Sequence, residues 1–330
     1  SLLLESILGV LLAPDWSPER FQRVRQQLFR YKLNASKDYP FRQIISQFQA
    51  MIQRSWTASE QALILENLNL VDIQDYSRLL LAAFDAKIII SGNHNLKAAQ
   101  DIIEPLAVLN LRNIDSPLSI IRLSQADLFQ SVAIDHQDSV VMRYIQGDSD
   151  SIEERAKISL IAQMLRAPFF NALRTEKQLG YVVSAFSYHL NRVPGLGMLV
   201  QSPVASASEL REEFSDFTQA FSAYIDDLSV EEFSRHQEAV LTNLEEAPKS
   251  LSEMNGRFAE SLALGYTDFQ FRSLLSTQIR QLTIADIQRA YERIVNKNPR
   301  QLWVQTHDNG KSSSTAAQLP SHETDYKYSF

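Results

Sequence analysis

The chain has 330 residues, with 39 acidic side chains against 32 Lys and Arg for a formal charge of -7, no cysteine, and 45% apolar, 9% aromatic and 22% charged residues. This is the composition of an ordinary soluble globular protein of about two domains, which excludes disordered and fibrous structure. The missing cysteine excludes thiolate zinc sites, iron–sulfur clusters, Cys nucleophiles and disulfide frameworks, and the acidic balance without a basic block argues against a nucleic-acid partner.

The opening apolar stretch, residues 2–14, is interrupted by Glu5 and is shorter than the roughly 20 residues that cross a bilayer, so it reads as a core helix with no membrane role. A chain that starts on a ready-made helix, with Ser first, is expected to be a piece of something longer. Ser17, Pro18 and Glu19 then supply a cap, a first-turn proline and early acid ahead of Phe21, Val24, Leu28 and Tyr31 at helical spacing. Further helices are predicted over 39–56, after the Thr57/Glu60 capping box, after Asp72, and from Asn95. Between the last two the period changes: 87–91 is a short β-branched run closed by Gly92-Asn93 and reads as a strand. A lone strand cannot make a sheet, so residues 1–115 read as an incomplete, mostly helical domain.

The apolar pattern lapses over 110–117, and the second domain is placed at 116–306. Strands are predicted at 119–123, 129–135 and 140–146. A second capping box, Ser151/Glu154, opens a helix, Pro168 begins another that reaches Leu179, and strands follow at 181–190 and 197–202 with turn residues Asn191 and Pro194-Gly195 between them. Three or four helices and a closing strand at 301–306 complete an α+β fold, an antiparallel sheet packed on one face by helices. The polar tail, 307–330, reads as a mobile extension or a strap along a partner.

Little of this carries obvious chemistry. The six histidines never fall three or four apart, and neither H-E-x-x-H nor H-x-x-E-H occurs, so no metal site is assigned to this chain. His189, beside Tyr188 near a strand end, is the one histidine kept as a candidate. There is no G-x-S-x-G elbow and no glycine-rich phosphate loop, and Gly195-Leu196-Gly197 reads as a turn. One segment differs, a helix ended by a glycine and followed at once by a strand, over 168–183. Gly180 suits the left-handed position past a helix end, which places Tyr181 first in the strand and Arg174 nearly two turns back. An arginine and a tyrosine can thus share a cleft beside a strand edge, suited to an extended peptide or a developing oxyanion. The plainer alternative pairs Arg174 with Glu176 or Glu213 and leaves Tyr181 at the core rim.

The run F-N-A-L-R-T-E-K-Q-L-G-Y-V-V at 170–183 closely resembles the F-N-x-L-R-T-x-x-Q-L-G-Y-x-V signature of the insulinase/pitrilysin zinc metallopeptidases, in their C-terminal half. The order of the surrounding elements, from the G-N-ended strand at 88–93 to the strand at 197–203, resembles the same half. The resemblance implies a metallopeptidase/processing-peptidase-like α+β domain, the fourth of the parent protease, preceded by an incomplete third. It implies a clamshell chamber that degrades peptides, with zinc bound by the N-terminal half of the same protease and no catalytic residue or metal ligand in this segment. Arg174 and Tyr181 match the residues that reach substrate near the zinc and help stabilise the tetrahedral species; Phe170 and Val183 match positions lining the pocket beyond the scissile bond. The expected partners are peptide substrates and that N-terminal half, in a periplasmic or cytoplasmic setting. The alternative is a non-catalytic peptide-binding or structural subunit that pairs with a separate catalytic chain.

Overall fold

The computed structural model describes residues 2–82, 85–112, 118–307 and 326–328. Six helices come first: α1 (Leu2–Leu12), α2 (Pro18–Asn34), α3 (Pro40–Ile52), α4 (Ala58–Asn67), α5 (Leu70–Ala82) and α6 (Leu96–Ile103). Their starts follow capping chemistry. Ser17 accepts from the Arg20 N–H, Thr57 and Glu60 form the reciprocal box, and Asn95 accepts from the Ala98 N–H. At α5 the cap is Asn69, whose side chain accepts from the Val71 and Asp72 N–H groups. Asp72 instead reaches back to the Asn69 N–H at 2.9 Å.

The run at 87–91 forms no strand. β-branched residues favour extended backbone, but a strand persists only where a neighbour satisfies its N–H and C=O groups, and no described strand pairs with it.

Five strands, β2 (Asp127–Val132), β3 (Ser139–Gln146), β4 (Val182–Ser187), β5 (Gly195–Ser202) and β6 (Arg300–Thr306), make an open sheet in the order β2-β6-β3-β5-β4. A separate ribbon joins β1 (Leu118–Ile120) to β7 (Tyr326–Tyr328). The boundary expected around 110–117 and the tail from 308 lie mostly outside the described residues. The β4–β5 hairpin and both neighbours of β3 are antiparallel, whereas β2 and β6 run parallel. The short hairpin link forces β4 and β5 antiparallel; β6 arrives only after a long helical excursion and is free to run parallel to β2.

That excursion is α8 (Ala207–Asp226), α9 (Val230–Glu245), α10 (Leu251–Ala263), α11 (Phe271–Gln281) and α12 (Ile284–Tyr291), which with α7 (Ile152–Phe170) covers one face of the sheet. The helix α3 occupies the other face as well, contrary to the one-sided packing expected. Ile44, Phe48 and Ile52 of α3 have no exposed surface and pack on Val140, Met142, Tyr144 and Leu199. At roughly 1.5–3 kcal/mol for each large apolar side chain removed from water, these three residues dock α3 firmly. Cover on both faces explains why β3 and β5 are buried almost end to end and why their sequences are nearly continuous apolar runs. Gly195 and Gly197 are required here, because a Cβ on either would strike the Tyr144 or the Phe186 ring.

The α7 helix also departs from expectation. It continues through Pro168, and the next turn, 171–176, has the wide π form. Proline offers no N–H to the carbonyl one turn back and its ring crowds that carbonyl, so the helix relaxes around it without stopping. At its start the box is only half formed. Ser151 accepts from the Glu154 N–H, but the buried Glu154 carboxylate turns to the Asp148 N–H at 3.0 Å and to Arg293 at 2.7 Å. No described helix is long and apolar enough to cross a membrane.

Candidate functional site

The site grows from the end of α7. Leu173 is buried in the core and anchors the wide turn, while Phe170 and Arg174 on either side of it face outward. The chain then reverses at Gln178, which takes the left-handed conformation (φ 53°) that the sequence pattern assigns to Gly180. Gly180 serves close packing instead: a Cβ there would run into the Gln201 carbonyl and meet Val200 at 2.9 Å. The bare Gly180 backbone lies against β5, and Tyr181 emerges immediately before β4, the edge of the sheet.

This brings Arg174, Phe170 and Tyr181 together. The Arg174 guanidinium lies over the Phe170 ring, 5.4 Å from its centre, and donates from Nη1 to the Tyr181 main-chain carbonyl. Glu213, one of the partners considered for Arg174, pairs with Lys177 instead. Tyr181 itself is 49% exposed. Val183 does not join the group. It is 7% exposed and packs into the core on the α7 side of the sheet.

Two residues that sequence reasoning missed complete the constellation. The Tyr181 hydroxyl donates to Asp138 Oδ2 at 2.5 Å, and Gln201 Nε2 donates both to that oxygen, at 2.8 Å, and to the Tyr181 hydroxyl. The orientation of the Gln201 amide is fixed from behind, where its Oε1 accepts from the Phe41 N–H at the start of α3, at 3.3 Å. The Asp138 N–H in turn donates to His136 Nδ1 at 3.0 Å. Burial works to raise the Asp138 carboxyl, but hydrogen bonds from Tyr181 and Gln201 and the neighbouring His136 outweigh it and hold the group below its ordinary value. Partial burial, the hydrogen bond to Asp138 and its negative charge push the Tyr181 phenol up to about 12. Tyr181 is therefore a neutral phenol whose proton is directed at Asp138. Asp138 sits in the turn between β2 and β3, and Gln201 lies opposite Val182 in the ladder. A polar residue at a buried position of an otherwise apolar strand, as Gln201 is, was the signal available in the sequence.

A cavity of about 560 Å³ opens beside this turn, lined among others by Gln43, Ile134, His136, Asp138 and Thr306. An apolar groove between α2 and the α4–α5 region, of about 250 Å³, shares no residue with it.

His189 has a structural explanation. Its Nδ1 accepts from the Gly195 N–H at 3.4 Å and its Nε2 lies 3.3 Å from the Ser159 hydroxyl, so it clips the β4–β5 hairpin to α7. Burial and the nearby Arg155 guanidinium push its pKa down to about 3, which keeps it neutral. Among the described residues no three His, Asp or Glu side chains converge as metal ligands.

Residues 160–259 match the family described as PQQ synthase PqqF-like, C-terminal lobe domain 4. The chain is similar to Protease 3 of Salmonella typhi, 24% identical over 286 residues that cover 85% of this chain and 30% of that protein. It is also similar to the insulin-degrading enzyme of Drosophila melanogaster, 21% identical, covering 98% of this chain and 34% of the relative. The crystal structure of pitrilysin shares the fold, with a TM-score of 0.82 at 22% identity over 99% of this chain and 37% of the other. The chain thus spans about a third of the length of the relatives it matches.

Proposed function

We propose that the chain belongs to the insulinase/pitrilysin family, to whose members it is similar, and that it is the substrate-binding C-terminal half of a pitrilysin-like zinc metalloendopeptidase that degrades peptides. The observation that carries the reading is the meeting of Arg174 and Tyr181 at the mouth of the edge strand β4. An extended peptide is recognised through its main-chain N–H and C=O groups, and a sheet edge flanked by an exposed guanidinium and a phenol offers partners for both. Arg174 commits one N–H to Tyr181 and remains exposed, with a planar fork suited to peptide carbonyls. This chain is assigned the binding and orientation of the peptide. The metal is assigned to the N-terminal half.

The test uses the full-length protein and the 330-residue chain side by side. The full-length protein is expected to bind zinc stoichiometrically and cleave unstructured peptides, and the chain alone to do neither. Turnover unchanged in both Arg174→Ala and Tyr181→Phe full-length variants would overturn the site. A full-length protein that cleaves only after a separate catalytic chain is added would instead make this a partner subunit.

A further inference from the structure

Tyr181 is nearly half exposed, yet its hydroxyl is held by two other side chains that come from different parts of the fold. Asp138 is presented by the β2–β3 turn, and Gln201 by the far end of β5. Gln201 is in turn held by the first turn of α3, a helix more than a hundred residues earlier in the chain. A phenol has one proton and two lone pairs. Here the proton goes to Asp138 and one lone pair accepts from the Gln201 amide, which leaves one lone pair. An exposed tyrosine that served only as a hydrophobic rim would not need a half-buried carboxylate and a buried, oriented amide, whose desolvation is offset by hydrogen bonds.

We propose that Asp138, assisted by Gln201, is a positioning residue: it holds the Tyr181 phenol in one orientation at the mouth of β4, where an extended peptide would meet it. This rests on the reading of Arg174 and Tyr181 as peptide-binding groups and adds the residues that set their chemistry. Service as an oxyanion donor would require the phenol to leave Asp138 first. The seat links three elements, so its geometry depends on α3 remaining docked on the sheet.

The experiment is a double-mutant cycle in the full-length protein, with steady-state cleavage of a peptide and thermal unfolding measured for each variant. Asp138→Ala is expected to lower kcat/KM roughly tenfold in the wild-type background and by less than about twofold when Tyr181 is already Phe, because the two side chains then act as one unit. Asp138→Asn, which keeps the shape and one acceptor oxygen, is expected to restore part of the loss and guards against a fold defect in the alanine variant. Gln201→Leu is expected to behave as Asp138→Ala does. An Asp138→Ala loss of the same size in both backgrounds would mark a merely structural role and overturn the proposal, as would full activity of Asp138→Ala beside an impaired Tyr181→Phe. In both of those cases the peptide-binding reading of Tyr181 survives. Unchanged turnover of Tyr181→Phe removes that reading and this proposal together.

Discussion

The guanidinium of Arg174 donates to the main-chain carbonyl of Tyr181, seven residues further on, across the reversal that joins α7 to the sheet. The two residues that the sequence motif pairs are thus physically joined, through the backbone of one and the side chain of the other. The bond caps a carbonyl at the mouth of the edge strand, and the same fork lies on the Phe170 ring.

A lysine can give the charge but not the planar fork that bonds and stacks at once. Arg174→Lys in the full-length protein is therefore expected to lose most of the activity that Arg174→Ala loses. Chain stability should stay within about 0.5 kcal/mol of wild type, because the side chain is exposed. Peptide cleavage and denaturant unfolding, measured together, check both halves of this expectation.

Gln178 and Gly180 have exchanged the roles that the pattern suggests, and substitutions at the two positions should move stability in opposite directions. Gln178 carries φ 53°, a conformation that costs an L-residue about 1 kcal/mol, so Gln178→Gly is expected to be neutral or stabilising by up to about that amount. Gly180→Ala forces a methyl group against the Gln201 carbonyl and Val200 and is expected to cost about 1–3 kcal/mol, displacing β4 and the Tyr181 seat. Urea unfolding of the two variants decides. A tolerated Gly180→Ala would contradict the packing described.

These exchanges show which features local sequence can carry. Caps at Ser17, Thr57 and Asn95 were legible because their partners sit within three residues, whereas Gly195 and Gly197, which read as a turn, lie inside β5 and leave room for the Tyr144 and Phe186 rings. The grouping of Arg174 with Tyr181 was legible from a motif. What depends on distant neighbours was not. The run at 87–91 has the composition of a strand but no partner, and β2 lies parallel to β6 through a contact some 170 residues long in sequence. Val183 reads as a pocket residue until α7 is seen to cover it. Asp138 and Gln201 lie 43 and 20 residues from Tyr181, and no short-range pattern brings them together.

His189 gives the fold a pH dependence whose sign follows from its low pKa. The unfolded chain takes up a proton near the ordinary 6.5, while the folded chain resists until about 3. Protonation therefore favours unfolding: the contribution is fully present above 6.5 and is lost as pH falls through the window between these values. The loss is no more than about 1.4 kcal/mol per pH unit. His189→Asn, which can keep an acceptor for the Gly195 N–H, is expected to flatten the stability curve over that window and leave the slope above pH 7 unchanged. Parallel wild-type and variant curves would remove His189 as the cause.

The helix α3 belongs in sequence to the helical first part of the chain and in space to the sheet. Phe48 has no exposed surface and its ring lies 4.6 Å from that of Tyr144 and 5.4 Å from that of Tyr188. Truncating a phenylalanine in such a setting costs about 3–5 kcal/mol, from lost transfer energy and the cavity left behind. If α3 folds as one unit with the sheet, Phe48→Ala shifts a single cooperative transition to lower denaturant; if it belongs to an independent helical unit, the variant splits off an early transition and leaves the main one in place. The packing favours the first outcome. The same substitution should then reach the site, because α3 supplies the Phe41 N–H that holds the Gln201 amide behind Tyr181. Phe48→Ala in the full-length protein is accordingly expected to lower peptide cleavage under conditions where it remains folded. A fully active, folded Phe48→Ala protein would show that the Tyr181 seat does not depend on how α3 is docked.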